Sequence, residues 1–208
     1  MARAVSTIDW TPAVTHLTAA DPRLAPLVDK HGHPTIKPTR DAVQSLARAI
    51  VSQQLSGKAA ETIWGRVLDL YPRRKFPAPA EILATPDIQL RGAGLSGAKA
   101  AAIKDLARHV VEAKLVPAKL PRLTDEEISA VLLPVRGIGP WSVDMFLMFA
   151  LARPDVLPVG DLGVRKGMQR HFRLRQLPEP ERMRKLAEPW RPFRSVGAWY
   201  MWRLLETA

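Results

Sequence analysis

Apolar residues recur along this chain with the period of an α-helix. Val43, Leu46, Ala47, Ile50 and Val51 fall at i, i+3, i+4, i+7 and i+8, and Ala60, Ile63, Trp64, Val67, Leu68 and Tyr71 continue the same rule, so each run lays an apolar stripe along one helix face. A third stripe, Ile103, Leu106, Ala107, Val110 and Val111, follows a start near Gly97. A fourth, Ile128, Val131 and Leu132, follows Thr124-x-x-Glu127, the side-chain pair that closes a capping box at a helix start. No segment alternates as a half-buried strand must. Prolines gather at 72–79, 117–121 and 178–192, where they break one helix from the next. The pattern predicts an all-α protein without internal repeats, whose first clear helix begins only after roughly 35 residues.

Composition adds a partner class. The 208 residues are 47% hydrophobic and 25% charged, as in a soluble globular protein with room for one large or two small domains. Lysine and arginine total 31 against 20 acids, a formal charge of +11 with a sequence pI near 10.5, which favours a polyanion such as nucleic acid. Between Leu162 and Ala208 there are eleven Lys/Arg against four Glu. That surplus reads either as a solvated basic face or as a binding face. With no cysteine, disulfides, thiolate metal sites, iron–sulfur clusters and cysteine nucleophiles are excluded. The N-terminus lacks the apolar core of a signal peptide, and the most apolar run, Met145 to Ala152, is far short of the ~20 residues of a spanning helix. A cytoplasmic or nucleoid-associated protein is expected.

Two motifs lead nowhere. Gly92 to Gly97, "GAGLSG", matches G-x-G-x-x-G, but no buried strand precedes it, so it reads as a loop before the helix near Gly97 rather than a dinucleotide site. His31-Gly-His33 lacks the further ligands a metal needs and reads as a loop. The stretch "LLPVRGIGPWSVDMFLMFA", Leu132 to Ala150, carries more. Gly137 and Gly139 can take positive φ, so "RGIG" can close a hairpin between the helix from Thr124 and one starting at Pro140, where proline costs no hydrogen bond. The first-turn N–H groups beyond such a turn suit a phosphate. A bare turn is the alternative. After a buried helix carrying Val143, Phe146, Leu147 and Ala150 comes the loop "ARPDVLPVGD", ending in Asp161, which on its own reads as a helix N-cap.

Helix, L-P-x-x-G-I-G-x-W hairpin, buried helix and a Gly/Pro loop ending in Asp together resemble the helix-hairpin-helix DNA glycosylase superfamily, and within it the 3-methyladenine DNA glycosylase II family. The likeness runs through "RAIVSQQLSGKAA", "GLSGAKAAAI", the hairpin and Asp loop, and "AEPWRPFRSVGAWYMW", over roughly residues 38 to 206. Some members carry an extra N-terminal β-domain, for which the residues before the first clear helix are too few.

The resemblance implies two lobes with a cleft between them, placed at residues 1–92 plus 175–208 and at 93–174. It implies excision of alkylated bases from double-stranded DNA by base flipping, with Asp161 as the catalytic carboxylate and Trp141 and Trp202 in the base pocket. Gly137, Ile138 and Gly139 of the hairpin, Gln54, Leu55 and Ser56 of the turn after the first clear helix, and Arg165 and Lys166 would contact DNA, with Gln54 or Leu55 filling the gap left by the flipped base. Relatives with lyase activity carry a lysine where this chain has Trp141, which implies a monofunctional enzyme. No metal or cofactor is required, though a monovalent cation on hairpin carbonyls stays open, and a monomer is expected. Each tryptophan taken singly reads as core, and Trp64, Trp190 and Trp199 are left there or unassigned. A non-catalytic DNA-binding protein and a glycosylase for oxidised or mismatched bases remain as alternatives.

Overall fold

The computed structural model describes residues 8–39, 41–55, 57–72 and 76–206, and among them there are helices and no strand. The chain divides into two units, Met1–Pro38 with Leu147–Ala208, and Thr39–Phe146.

The discontinuous unit opens with α1 (Thr11–Ala20) and α2 (Ala25–His31), both inside the stretch expected to precede the first helix. Their apolar faces are short, Ala13, Val14 and Leu17 in one and Leu27 in the other, so no multi-turn period is there to read. Gly32, at φ +66, ends α2 immediately after His31. Among the described residues no group of three His, Cys, Asp or Glu side chains could hold a metal ion.

The contiguous unit follows the predicted stripes. Helix α3 (Ala42–Ser52) is capped by Asp41, whose Oδ1 accepts from the Gln44 N–H at 2.8 Å, and it buries all five predicted residues. Then come α4 (Gly57–Asp69), α5 (Pro79–Ala84), α6 (Asp87–Gly92) and α7 (Gly97–Val111). "GAGLSG" therefore joins two helices, with Gly94 at φ +104. The stripe of α7 runs out at Val111, which is exposed. Helix α8 (Asp125–Leu132) begins with the predicted capping box, the Glu127 N–H donating to Thr124 Oγ1 at 3.2 Å and the Thr124 N–H donating to Glu127 Oε2 at 2.8 Å. Helix α9 (Pro140–Met145) runs into a π turn, Phe146–Ala150.

The discontinuous unit resumes with α10 (Leu162–His171), α11 (Pro180–Leu186) and α12 (Arg194–Glu206). Helix α10 packs along α12, and α7 packs on α3 and α5. The unit boundaries thus differ from the expected 92/93 and 174/175, because those divisions would separate partner helices. No helix among the described residues is long and apolar enough to cross a membrane.

A buried polar knot ties the ends of the discontinuous unit together. Asp21 Oδ2 accepts from His171 Nε2 at 2.7 Å and from the Trp190 indole N–H at 3.3 Å, and Asp21 Oδ1 accepts from Arg23 Nε at 2.7 Å. Burial pushes the Asp21 carboxyl up, but the hydrogen bonds from Arg23 and His171 outweigh it and hold it below the usual 3.8. For His171 burial wins over the attraction of Asp21 and holds the ring below its usual 6.5. Both folded-state values are depressed, so the unfolded chain takes up these protons first as pH falls, and stability is lost in that direction. Thermal melts should therefore show a midpoint that declines as pH drops below about 6.5, and again below about 4, with the upper step flattened in His171→Gln. A midpoint that rises between neutrality and mild acid would mean a charged His171 in the folded state.

Candidate active site

In the contiguous unit, α8 gives way to a tight hairpin. The Ile138 N–H donates to Val135 O at 3.0 Å, and the Arg136 N–H is anchored on Asp105 Oδ2 at 2.9 Å. Gly137 sits at φ +78, and a Cβ there would stand 2.9 Å from the Ala102 Cβ, so both conformation and space demand glycine. Gly139 is different. It caps α9 in extended backbone, φ −110 and ψ 178, and a Cβ there would meet nothing within 4 Å. The expectation of positive φ holds at Gly137 and fails at Gly139, whose bare backbone matters only to something approaching from outside. Ile138 is also corrected as a candidate for direct contact: its side chain is buried and its N–H is spent on the turn, so it plugs the hairpin instead. Pro140 occupies the first turn of α9, and Trp141 beside it is 37% exposed.

The hairpin is tied to the end of α3. The Gln53 side-chain amide donates to Gly137 O at 2.8 Å and to Ser142 Oγ at 3.1 Å. Gln54 then takes a left-handed φ of +56 and is exposed, as is Leu55. A non-glycine residue in that region is uncommon and costs energy, so the turn is held outward against its own preference. Ser56 lies outside the described residues. The carbonyls of Val135, Gly137 and Gly139 each already accept a hydrogen bond within the chain.

In the discontinuous unit, Asp161 is the N-cap of α10, as expected of it on its own, and it is also more than that. Its Oδ1 accepts from the Val164 N–H at 2.8 Å and from the Trp202 indole N–H at 2.9 Å. The half-buried Trp202 packs against Phe149, ring centroids 5.6 Å apart and tilted 32°, and Phe149 is 42% exposed. Gly163 makes the approach feasible. A Cβ there would lie 2.8 Å from Trp202 Cδ1 and Nε1 and 3.0 Å from Asp161 Oδ1. One turn further along α10, a Cβ on Gly167 would overlap the Met201 backbone. The loop before Asp161 is pinned to the start of α12. Arg194 donates to both carboxylate oxygens of Asp155 at 2.7 and 3.0 Å, Arg191 adds a contact at 2.9 Å, and buried Ser195 donates to Arg153 O at 2.7 Å while accepting from the Val156 N–H at 2.9 Å. Helix α12 therefore holds the loop at one end and supplies Trp202 near the other.

A carboxylate, an indole fixed on it and an exposed aromatic ring can stabilise a cation, and a hairpin with a bare Gly139 can approach an anion. The family model described as HhH-GPD superfamily base excision DNA repair protein matches residues 47–192. The chain belongs to that superfamily. DNA-3-methyladenine glycosylase 1 of Schizosaccharomyces pombe, a superfamily relative, is 34% identical over 95% of this chain and 89% of its own. A solved structure of Schizosaccharomyces pombe 3-methyladenine DNA glycosylase in complex with abasic DNA superposes with a TM-score of 0.84 at 34% identity, covering 93% of this chain and 96% of that one. A DNA-3-methyladenine glycosidase structure from Bacillus halodurans gives 0.81 at 30%, covering 95% and 91%.

Other candidates fare unevenly within this superfamily member. Arg165 is turned onto its own unit, its Nε donating to Pro178 O at 3.1 Å and its Nη2 to Glu179 at 3.2 Å, whereas Lys166 is exposed. Trp64, Trp190 and Trp199 are buried. Phe149 and Gly163 escaped the sequence reading. Phe149 sits in the run "FLMFA", which reads as core, and the π turn presents it at the surface while Leu147, Met148 and Ala150 are buried. For Gly163 the available signal was a glycine inside a helix, two residues after a capping Asp, which marks a close approach.

Proposed function

We infer that this protein is a monofunctional DNA glycosylase that flips alkylated bases, of the 3-methyladenine and 7-methylguanine type, out of duplex DNA and hydrolyses their N-glycosidic bond, the first step of base excision repair. The observation that carries this reading is the Asp161–Trp202 pair: a helix cap needs no indole on its carboxylate, and DNA binding alone needs neither. The superfamily membership and the named relatives support the same activity. As the bond breaks, its electron pair leaves with the base, which was already cationic and departs neutral without a general acid. The sugar becomes oxocarbenium-like, the Asp161 charge stabilises it, and water adds at the anomeric carbon with loss of a proton.

Trp141, Trp202 and Phe149 offer electron-rich faces to a cationic base. The hairpin holds a phosphate through the backbone N–H groups of Gly137 and Gly139, Lys166 and the basic C-terminal quarter add charge, and Gln54 or Leu55 takes the vacated place in the stack. The protein works as a monomer on chromosomal DNA in the cytoplasm, without a cofactor. Incubation with methylated duplex DNA and chromatography of the supernatant tests this: 3-methyladenine and 7-methylguanine should be released, leaving an intact abasic strand, and borohydride should trap no covalent adduct. Release of oxidised bases alone would overturn the substrate, and efficient trapping would overturn the monofunctional subtype.

Gly139→Val tests the clamp with little risk to the fold, since the backbone there is extended and the space is open. Its melting temperature should stay near wild type while affinity for duplex of any sequence falls about tenfold, the worth of one charge-assisted hydrogen bond. Unchanged affinity in a direct titration would leave "RGIG" as a turn only.

A further inference from the structure

Lys99 stands where its own helix gains nothing from it. It is the third residue of α7, and a cation in a first turn faces the positive end of the helix dipole. Its backbone N–H is satisfied by Ser96 Oγ at 3.2 Å, but the side chain leaves the helix altogether. The ammonium donates to Val51 O and to Gln53 O, each at 2.7 Å. These are carbonyls at the C-terminal end of α3, the negative end of that dipole, where helical partners have run out and a cation is favourable. The side chain is part-buried, and burial holds the ammonium below the usual lysine range.

The end of α3 is also the root of the outward turn. Gln53 leaves the helix with φ −54 and ψ 132 and ties its amide to the hairpin at Gly137 and Ser142. Gln54 follows in the left-handed region, then Leu55, both exposed. Two tethers thus converge on Gln53, its own side chain on the hairpin and the Lys99 ammonium on its carbonyl. We propose that Lys99 is a positioning residue for DNA opening: by capping α3 it fixes the Gln53–Gln54–Leu55 turn in register with the hairpin, so that the wedge enters the base stack preorganised. This rests on the reading of that turn as the wedge. Without the ammonium the last turn of α3 frays, Gln54 relaxes from its left-handed conformation, and insertion must first order the turn.

The experiment compares single-turnover excision of an alkylated base from duplex and from single-stranded oligonucleotide, which has no opposing stack to fill. Lys99→Met keeps the stem and removes the charge. It should slow the duplex reaction about tenfold and the single-strand reaction less than about twofold, and Lys99→Arg should recover most of the difference. The single-strand rate reports the folded fraction of the same preparation, and Lys99→Gln serves if the methionine variant folds poorly. The double variant Gln54→Ala/Leu55→Ala is run beside it. If the double variant is duplex-selective and Lys99→Met slows both substrates equally, the wedge stands and Lys99 is merely structural. If neither is duplex-selective, the wedge reading itself fails and the proposal with it. The slope of log affinity against log salt should not change in Lys99→Met; a decrease by about one phosphate contact would make Lys99 a direct DNA ligand and overturn the positioning role.

Discussion

Asp161→Asn should bind alkylated duplex DNA at least as tightly as the wild type and excise the base about a thousandfold more slowly, or worse, in a single turnover. The asparagine Oδ1 can accept from both the Val164 N–H and the Trp202 indole, the two donors that meet on Asp161 Oδ1. The cap of α10 and the seat of Trp202 therefore survive, and only the charge is lost. Loss of that charge removes the electrostatic stabilisation of the sugar cation and relieves repulsion of phosphates, so binding and chemistry move in opposite directions. Asp161→Ala is the control, since it also forfeits the cap at about 1 kcal/mol of stability. Near-normal excision by Asp161→Asn would reduce this residue to a helix cap.

Gly163→Ala makes a complementary test, because it leaves the carboxylate in place and disturbs its surroundings. The new Cβ would stand 2.8 Å from the Trp202 ring and 3.0 Å from Asp161 Oδ1. Trp202 is a stiff side chain packed against Phe149 and has little freedom to yield, so the indole N–H is pushed off Oδ1. An N–H donor to an ionised oxygen contributes roughly 1.5–3 kcal/mol, and excision should fall about ten- to a hundredfold. Alanine is the better helix former, so α10 itself is not weakened. Wild-type turnover in Gly163→Ala would show that the Trp202 contact is incidental to the reaction.

The legible parts of this molecule are those governed by local rules. The capping box at Thr124, proline in the first turn of α9, Asp161 ahead of α10 and the apolar stripe of α3 each need only a few neighbouring residues, and each stands where it was expected. What depends on partners far along the chain was hidden. Gly137 and Gly139 look equivalent in sequence, and the left-handed φ of Gly137 and its nearness to Ala102 separate a glycine required by the fold from one that leaves a surface bare. Ile138 and Arg165 were drawn toward DNA by their neighbourhood, yet one fills the core and the other holds Pro178 and Glu179. Phe149 was concealed by the π turn, which breaks the period on which the reading relied. Helices α1 and α2 were too short to show a period at all.

The discontinuity of one unit orders events during synthesis. Every residue of the Thr39–Phe146 unit has been polymerised before the chain reaches Asp161, and that unit can fold on local contacts as it emerges. The other unit must wait. Its N-terminal helices are made first, but Asp21 meets His171 150 positions later and Trp190 169 positions later, and the Gly32 carbonyl meets the Tyr200 hydroxyl 168 positions later, within α12. The apolar faces of α1 and α2 consequently wait for their distant partners through most of translation, and a ribosome that stops short of α12 releases a chain with a finished hairpin unit and no indole to meet the Asp161 carboxylate.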